Sequence, residues 1–286
     1  MLQLLFNGLV SGFLVALPAV AVSLTFSVLR FANFAIGAML TLGAYLIYFF
    51  NTVVGLGLFW ATLSGAIASA IIAVVIDMLV YSPLRARSSV TLLVASLGVS
   101  FVLENSVRLV AGSAPLSYAV ATARPLRAFG LRFNHEQLIG IGVSLAALLL
   151  VWLLLNRSAQ GRAMRAVADN PALAAVRGID QVRVRRLAWA VAGGLAAVAG
   201  MLIGLDTTLD PLMGWNYVLA IFAAAIVGGF GNPLGAFAGA LCMGVISEMS
   251  TLVLPPHYRA LAAFIVLSGL LLVRPSGLFG MRWISR

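Results

Sequence analysis

Apolar residues in this chain gather in long, nearly unbroken runs, with polar residues confined to the intervals between them. The runs occupy 4–29, 34–50, 58–80, 90–111, 138–155, 187–205, 218–230, 234–254 and 258–273. A segment apolar on every face has no solvated side, so each run reads as a helix set among lipid or other helices. About 20 such residues cross the hydrocarbon core of a bilayer. Several runs are shorter, so the pattern predicts an all-α polytopic membrane protein with about eight to ten transmembrane helices. Some of these would be short or broken, and together they would form one transmembrane domain over 1–286.

The stretch 156–186 breaks the pattern. It carries Arg157, Arg162, Arg165, Arg177, Arg183, Arg185 and Arg186 against only Asp169 and Asp180. Within it, Asn170 suits an N-cap and Pro171 a first helical position, which needs no backbone N–H. Gly178 can adopt the left-handed conformation that closes a helix. The spacing therefore predicts a short helix with punctuation at both ends, a docking element for a partner on that side. Arg165, Asp169, Asn170, Pro171, Ala174 and Gly178 are its candidate residues.

Arginine placement orients the chain, because cytoplasmic loops carry the cationic excess. Putting 156–186 in the cytoplasm also puts Arg30, Arg85, Arg87, Arg274, Arg282 and Arg286 there. Arg108, Arg124, Arg127, Arg132 and Arg259 remain outside. By this count the N-terminus is external and the C-terminus cytoplasmic. The run 218–230 reads as a crossing segment with a glycine-rich break, since a re-entrant half-helix would carry the tail arginines outside. The segment 112–136, with Pro115 and Pro125, and the segment 206–216 fall on the outer face, open to an external partner.

Composition narrows the chemistry. The chain is 62% hydrophobic and 9% charged, and all 18 cations are arginine. Without lysine there is no Walker A site, so ATP-driven work must be done by another chain. The net charge of +10 lies at loop ends and speaks for topology rather than nucleic-acid binding. No basic residue precedes the first run, so that span reads as retained rather than cleaved. Cys242 is single, and His135 and His257 lack the neighbours of a zinc site. Asp206 and Asp210 have the spacing of a diphosphate-binding pair but no second acidic motif, and read as a solvated outer loop. No metal site, catalytic residue or cofactor bound by this chain is expected.

Polar groups inside apolar runs default to functional hypotheses. Asp77 lies near a span end and reads as interfacial. Glu104, followed by Asn105, is read either as an i,i+4 partner of Arg108 or as a polar lining of a pathway. Glu248, near Ser247 and Ser250, sits in the outer half of its helix and is equally open as a functional candidate. Gly193, Gly194, Ala197 and Gly200, and likewise Gly235, Gly239 and Gly244, have the spacing of close helix contacts. The sequence Arg30-Phe31-Ala32-Asn33-Phe34 follows a span directly and reads as a helix restart, Asn33 being its N-cap, with the break facing a solute. Asn33 to Ala38 and Asn232 to Ala236 echo each other as a candidate internal repeat. The expected translocation path is Asn33, Phe34, Gly37, Glu104, Asn105, Gly228, Gly229, Gly231 and Asn232.

Three passages carry a family resemblance: Leu29 to Gly37 with Leu42-Gly43-Ala44-Tyr45, Gly161 to Asn170 continuing to Gly178-Ile179, and Ile226 to Ala236. Together they resemble the permease subunits of bacterial ABC importers for branched-chain amino acids, the Liv-type H-subunit family. Ile36 stands where that family often has histidine. The resemblance implies an inner-membrane permease working with a second permease subunit and two cytoplasmic ATP-binding subunits that bind ATP and Mg. It also implies a periplasmic or lipid-anchored solute-binding protein, and leucine, isoleucine and valine as solutes, with urea, short amides and other amino acids open. The segment 156–186 would be the coupling loop. The competing readings are a stand-alone ion-coupled transporter resting on Glu104 and Glu248, a sugar-type ABC permease, and a membrane prenyltransferase resting on Asp206 and Asp210.

Overall fold

The computed structural model describes residues 1–120, 126–128, 131–253, 255, 258–274 and 277–279. Arg124, Pro125, His257, Arg282 and Arg286, all used in the sequence reading, lie outside the described residues. Among the described residues, twelve α-helices occur in chain order: α1 Leu2–Leu29, α2 Ile36–Tyr48, α3 Leu58–Ile76, α4 Ser82–Leu84, α5 Ser89–Ala111, α6 His135–Arg157, α7 Ala159–Asp169, α8 Pro171–Val176, α9 Gln181–Asp206, α10 Met213–Gly228, α11 Pro233–Met249 and α12 Arg259–Val273. π-Helical turns Phe49–Val53 and Asp77–Tyr81 prolong α2 and α3. Every apolar run is helical. Among the described residues, seven helices are long and apolar enough to cross a membrane, and Met213–Gly228 and Ala263–Val273 are shorter. One small departure from all-α is an antiparallel ribbon, β1 Leu126–Ala128 with β2 Leu131–Phe133.

Helix starts follow side-chain chemistry more closely than hydropathy. The run starting at 187 begins its helix at Gln181, because Asp180 accepts from the backbone N–H groups of Val182 and Arg183 at 2.9 and 3.2 Å. The arginines of the first turns of α9 thereby join a membrane helix. α6 opens on a reciprocal box in which Asn134 and Gln137 each bond the other's backbone N–H.

The buried helix α1 packs against α11, α9, α10 and α6, while α9 also packs on α2 and α3. In lipid no hydrophobic force draws helices together, so contact depends on how closely backbones approach. At the α1–α11 crossing a Cβ on Gly12 would lie 2.9 Å from Leu241 Cα. At the α2–α10 crossing a Cβ on Gly214 would overlap the Gly37 carbonyl oxygen, and Gly214 N donates to Thr41 Oγ1 at 3.0 Å. Gly193, Gly200, Gly235, Gly239 and Gly244 make comparable contacts within the chain, whereas Gly194 is looser.

The end opposite the arginine-rich one is also packed. Leu116 and Leu209 form an antiparallel bridge with bonds of 3.0 and 2.9 Å, Tyr118 Oη donates to Ala44 O at 3.1 Å, and Ala119 N donates to Asn51 Oδ1 at 2.9 Å. The 206–216 segment is therefore not simply a solvated loop: Leu209 is fully buried and Asp210 Oδ1 caps the next turn through Leu212 N at 2.7 Å.

Candidate translocation core and coupling segment

The break between α1 and α2 places Asn33 in the interior, with no exposed surface. Its Oδ1 accepts from Ala35 N at 3.1 Å and from the Tyr81 hydroxyl at 3.3 Å. Asn33 thus restarts the chain through a bond two residues on, and the helix begins at Ile36, three positions after the expected N-cap. Its Nδ2 is buried without a partner among the described residues, as is Trp189 Nε1. Tyr81 lies between them in space, stacked on Trp189 with centroids 4.7 Å apart and planes 16° apart. Phe34 N donates to Ser96 Oγ on α5 at 3.1 Å. Buried donors left unpaired are uncommon, because each forfeits its hydration. Two around one tyrosine mark a polar spot in an otherwise apolar interior.

The two glycine- and asparagine-marked breaks meet through aromatic rings. Phe34 stacks on Phe222 at 4.5 Å and 19°, Phe222 lies 6.1 Å from Phe230, and Phe230 meets Phe26 edge-on at 4.3 Å. Gly229 and Gly231 have φ of 109° and 92°, a region costly for any side chain, which ends α10 and turns the chain toward α11. Asn232 then caps α11 by accepting from Gly235 N at 3.2 Å, while its Nδ2 donates to Phe279 O at 3.1 Å. The tail pairs back onto the break through Leu278 N to Val227 O at 2.8 Å and Phe279 N to Gly228 O at 3.1 Å. The carbonyls that the helix end would leave unpaired are thereby satisfied. Each of the two echoing motifs uses its asparagine to bond a backbone N–H at a helix start, at i+2 in one and i+3 in the other.

Glu104 and Asn105 are not part of this cluster. Glu104 pairs with Arg108 at 3.2 Å, and exposed Asn105 donates to Phe101 O on its own helix at 2.7 Å. They lie more than two turns along α5 from Ser96. Glu248 is 6% exposed. Asp77, read as interfacial, is buried and ion-paired with Arg85, which reaches back across the π turn.

At the arginine-rich end the short helix forms as Pro171–Val176. Asn170 Oδ1 accepts from Leu173 N at 3.1 Å, and Gly178, at φ 79°, donates to Ala175 O at 2.9 Å. Six residues are too few for a helix stable alone, so the caps and packing must hold it. Ala174 faces inward with Leu24 and Val28 of α1, Met164 and Val167 of α7, and Val184 and Ala188 of α9, forming a second, smaller core. Polar ties reinforce it: Gln181 Nε2 donates to Pro171 O at 2.7 Å, Arg30 to Ala168 O, and Arg165 to Leu155 O. Arg30, at φ 61°, is the one non-glycine residue with positive φ among the described residues, a conformation costing about 1–2 kcal/mol. On the outer side Leu173 is 56% and Val176 83% exposed, and Asp169 is exposed.

The sequence reading missed Ser96, Tyr81 and Trp189, whose roles depend on helices that meet only in space. It also left 156–169 as loop, although Gly161, Met164 and Val167 have the helical spacing that buries one face of α7.

Seven membrane-length apolar helices among the described residues, with glycine-marked breaks between helices and a capped helix at one end, define a multi-pass membrane protein. The chain belongs to the branched-chain amino acid transport system / permease component family, whose model matches residues 4–273. It is 28% identical over 296 residues to the high-affinity branched-chain amino acid transport system permease protein LivH of Salmonella typhimurium, covering 98% of this chain and 95% of that one. It is 29% identical over 295 residues to the corresponding protein BraD of Pseudomonas aeruginosa, with the same coverage of 98% and 95%. The solved structure of PsaBC from Streptococcus pneumoniae in complex with Fab matches with a TM-score of 0.50 at 14% identity, over 96% of this chain and 92% of that one. That last likeness is one of fold.

Proposed function

We propose that this chain is a transmembrane permease subunit of a bacterial ABC importer in the inner membrane. It would pass leucine, isoleucine and valine, or related small amino acids and amides, received from a periplasmic or lipid-anchored solute-binding protein. Its partners would be a second permease subunit and two cytoplasmic ATPases that bind ATP and Mg. The observation that carries the coupling role is α8: capped at both ends, anchored inward by Ala174, and presenting exposed Leu173 and Val176 on a segment rich in arginine. An exposed apolar pair on a rigid, charged element suits a protein partner more than water.

On this reading, closure of the ATPase pair displaces α8. Gln181 passes the displacement to α9, and the Ala168–Arg30 bond passes it to the end of α1. Arg30 lies three residues before Asn33, so movement there shifts Asn33 and Phe34 directly. The Phe34–Phe222–Phe230 rings would part as a gate, with Gly37, Gly228, Gly229 and Gly231 supplying backbone at the opening. Asn33 Nδ2 would then meet the solute, while Asn232 would hold the gate's frame. Glu104 and Asn105 would contribute only farther along the path.

Replacing 169–178 by a flexible glycine-serine linker tests this in proteoliposomes holding the assembled transporter. ATP-dependent leucine uptake should vanish while membrane insertion persists, and retained uptake would refute the coupling role. Uptake by this chain alone under a proton or sodium gradient would overturn the importer reading.

A further inference from the structure

We propose that the uncovered face of α5, continued by the exposed start of α10, is the surface on which the second permease subunit packs. The identity of that occupant rests on the importer reading, whereas the need for a protein cover does not. α3, α5 and α6 are membrane-length helices that leave most of their surface uncovered. Every exposed residue of α3 is aliphatic or aromatic, and between Leu138 and Leu153 every exposed residue of α6 is apolar. Lipid satisfies both faces. On α5 the exposed Val94, Gly98, Phe101, Asn105 and Leu109 recur every three or four residues and form one stripe with an amide in it.

Depth makes that amide significant. Asn105 lies five residues from the midpoint of α5, about 7–8 Å along the axis. The hydrocarbon core extends about 15 Å from its own midplane. Asn105 Nδ2 donates to Phe101 O on its own helix at 2.7 Å, and its Oδ1 is exposed with no partner among the described residues. Next to it the Glu104–Arg108 pair is only partly covered, the arginine side chain being 37% exposed. Such groups are costly against lipid and face protein or a water-filled cavity instead. Water is a poor cover for the same face, because Phe101, Val102 and Leu109 on it are large, apolar and well exposed. A packed membrane helix meets both demands, since helices in lipid associate through close fit and hydrogen bonds between polar side chains.

The relief of the surface suits the same occupant. Gly98 leaves a notch, with no atom within 4 Å of where a Cβ would lie. Phe101 stacks on Trp215 of α10, centroids 6.4 Å apart and planes 29° apart, and Trp215 and Leu219 extend the exposed face beyond α5. At its edge a cavity of about 390 Å³ opens between α2 and α5, with Tyr45, Phe49, Ser106 and Val110 in its lining. A concave apolar pocket beside a flat face is where a large anchoring side chain of a partner sits. The second subunit therefore presents a hydrogen-bonding side chain opposite Asn105 and a bulky one opposite Gly98.

The test places single cysteines in a Cys242→Ser background, as Val102→Cys on α5 and Ile67→Cys on α3. Both lie near the middle of their helices and are comparably exposed in this chain, at 65% and 54%. A lipid-soluble maleimide should label both in the chain purified alone. In proteoliposomes holding the assembled transporter it should still label Ile67→Cys, and labelling of Val102→Cys should be lost. Protection that appears in the chain alone and disappears on dilution into excess lipid identifies the second subunit as another copy of this chain, and also supports the surface. Asn105→Leu should lower retention of the second permease subunit several-fold on co-purification while leaving the thermal midpoint of the isolated chain unchanged. Equal labelling of Val102→Cys and Ile67→Cys in every state, or undiminished retention with Asn105→Leu, overturns the proposal. ATP-dependent uptake in the same vesicles judges the importer reading separately: uptake with free labelling of Val102→Cys overturns the surface alone.

Discussion

Gln181 Nε2 lies 2.7 Å from the carbonyl oxygen of Pro171, fastening the first turn of α8 to the first turn of α9 across ten residues of chain. A single bond of this kind contributes about 0.5–1.5 kcal/mol net. Gln181→Glu preserves the shape and removes the donor, setting a carboxylate against a carbonyl. ATP-driven uptake should fall several-fold in this variant while its amount in the membrane stays constant. Unchanged uptake would show that the tie does not transmit movement.

The outer face of α8 gives a cleaner separation of docking from folding. Leu173 and Val176 are largely exposed, so Leu173→Asp and Val176→Asp should shift the thermal midpoint little. If the proposed importer assembly holds, both should abolish co-purification with its ATPase subunits. Asn170→Ala, which removes the cap, should instead cost about 1 kcal/mol of local stability and show up as faster proteolysis within 170–178.

Tyr81 offers a test of the buried polar spot. Tyr81→Phe keeps the stack on Trp189 but leaves Asn33 without its side-chain donor. A loss of about 1 kcal/mol is expected, together with altered uptake kinetics if Asn33 meets the solute. Trp189→Ala removes a fully buried ring and should cost about 3–5 kcal/mol, measured by detergent-solubilised unfolding.

The glycine contacts predict strong asymmetry among equal substitutions. Gly214→Ala places a methyl against the Gly37 carbonyl and must separate α2 from α10, so the protein should be poorly recovered. Gly98→Ala meets nothing within 4 Å and should be neutral or stabilising by up to about 1 kcal/mol, as ordinary helix propensity dictates. Equal behaviour of the two variants in size-exclusion recovery would contradict the close crossing.

Tyr118, in the segment after α5, gives a pH prediction. Burial pushes its phenol well above the usual tyrosine range. Its folded pKa is therefore higher than its unfolded one, so the stability it confers is complete below the ordinary tyrosine pKa. That stability is lost progressively as pH rises through the folded value. Tyr118→Phe should flatten this alkaline decline in the thermal midpoint while lowering stability at neutral pH through the lost bond to Ala44.

Much of the local structure was readable in one dimension. Asn170, Pro171 and Gly178 act through atoms within a few residues of themselves, and the structure places each in its expected cap role. Asn232 was expected at the pathway, yet its amide is used at both ends, for Gly235 N and for Phe279 O. The first bond is local and the second joins residues 47 apart, a separation along which no sequence pattern runs. Asp77 was read as interfacial from its place near a span end; that it is buried and paired with Arg85, eight residues on across a π turn, was not legible in the sequence.

The amino-acid sequence alone determined that the chain is a multi-pass membrane protein, that its arginines concentrate in 156–186, and how the short helix after Asn170 is capped. Those properties arise from hydropathy, backbone geometry and capping, which act over a few residues. Only the tertiary structure decided that Phe34 meets Phe222 and that Tyr81 reaches Asn33. A helix that is apolar all round presents no preferred face, so its neighbours are chosen by the fit of small residues and rings, a property of surfaces in contact.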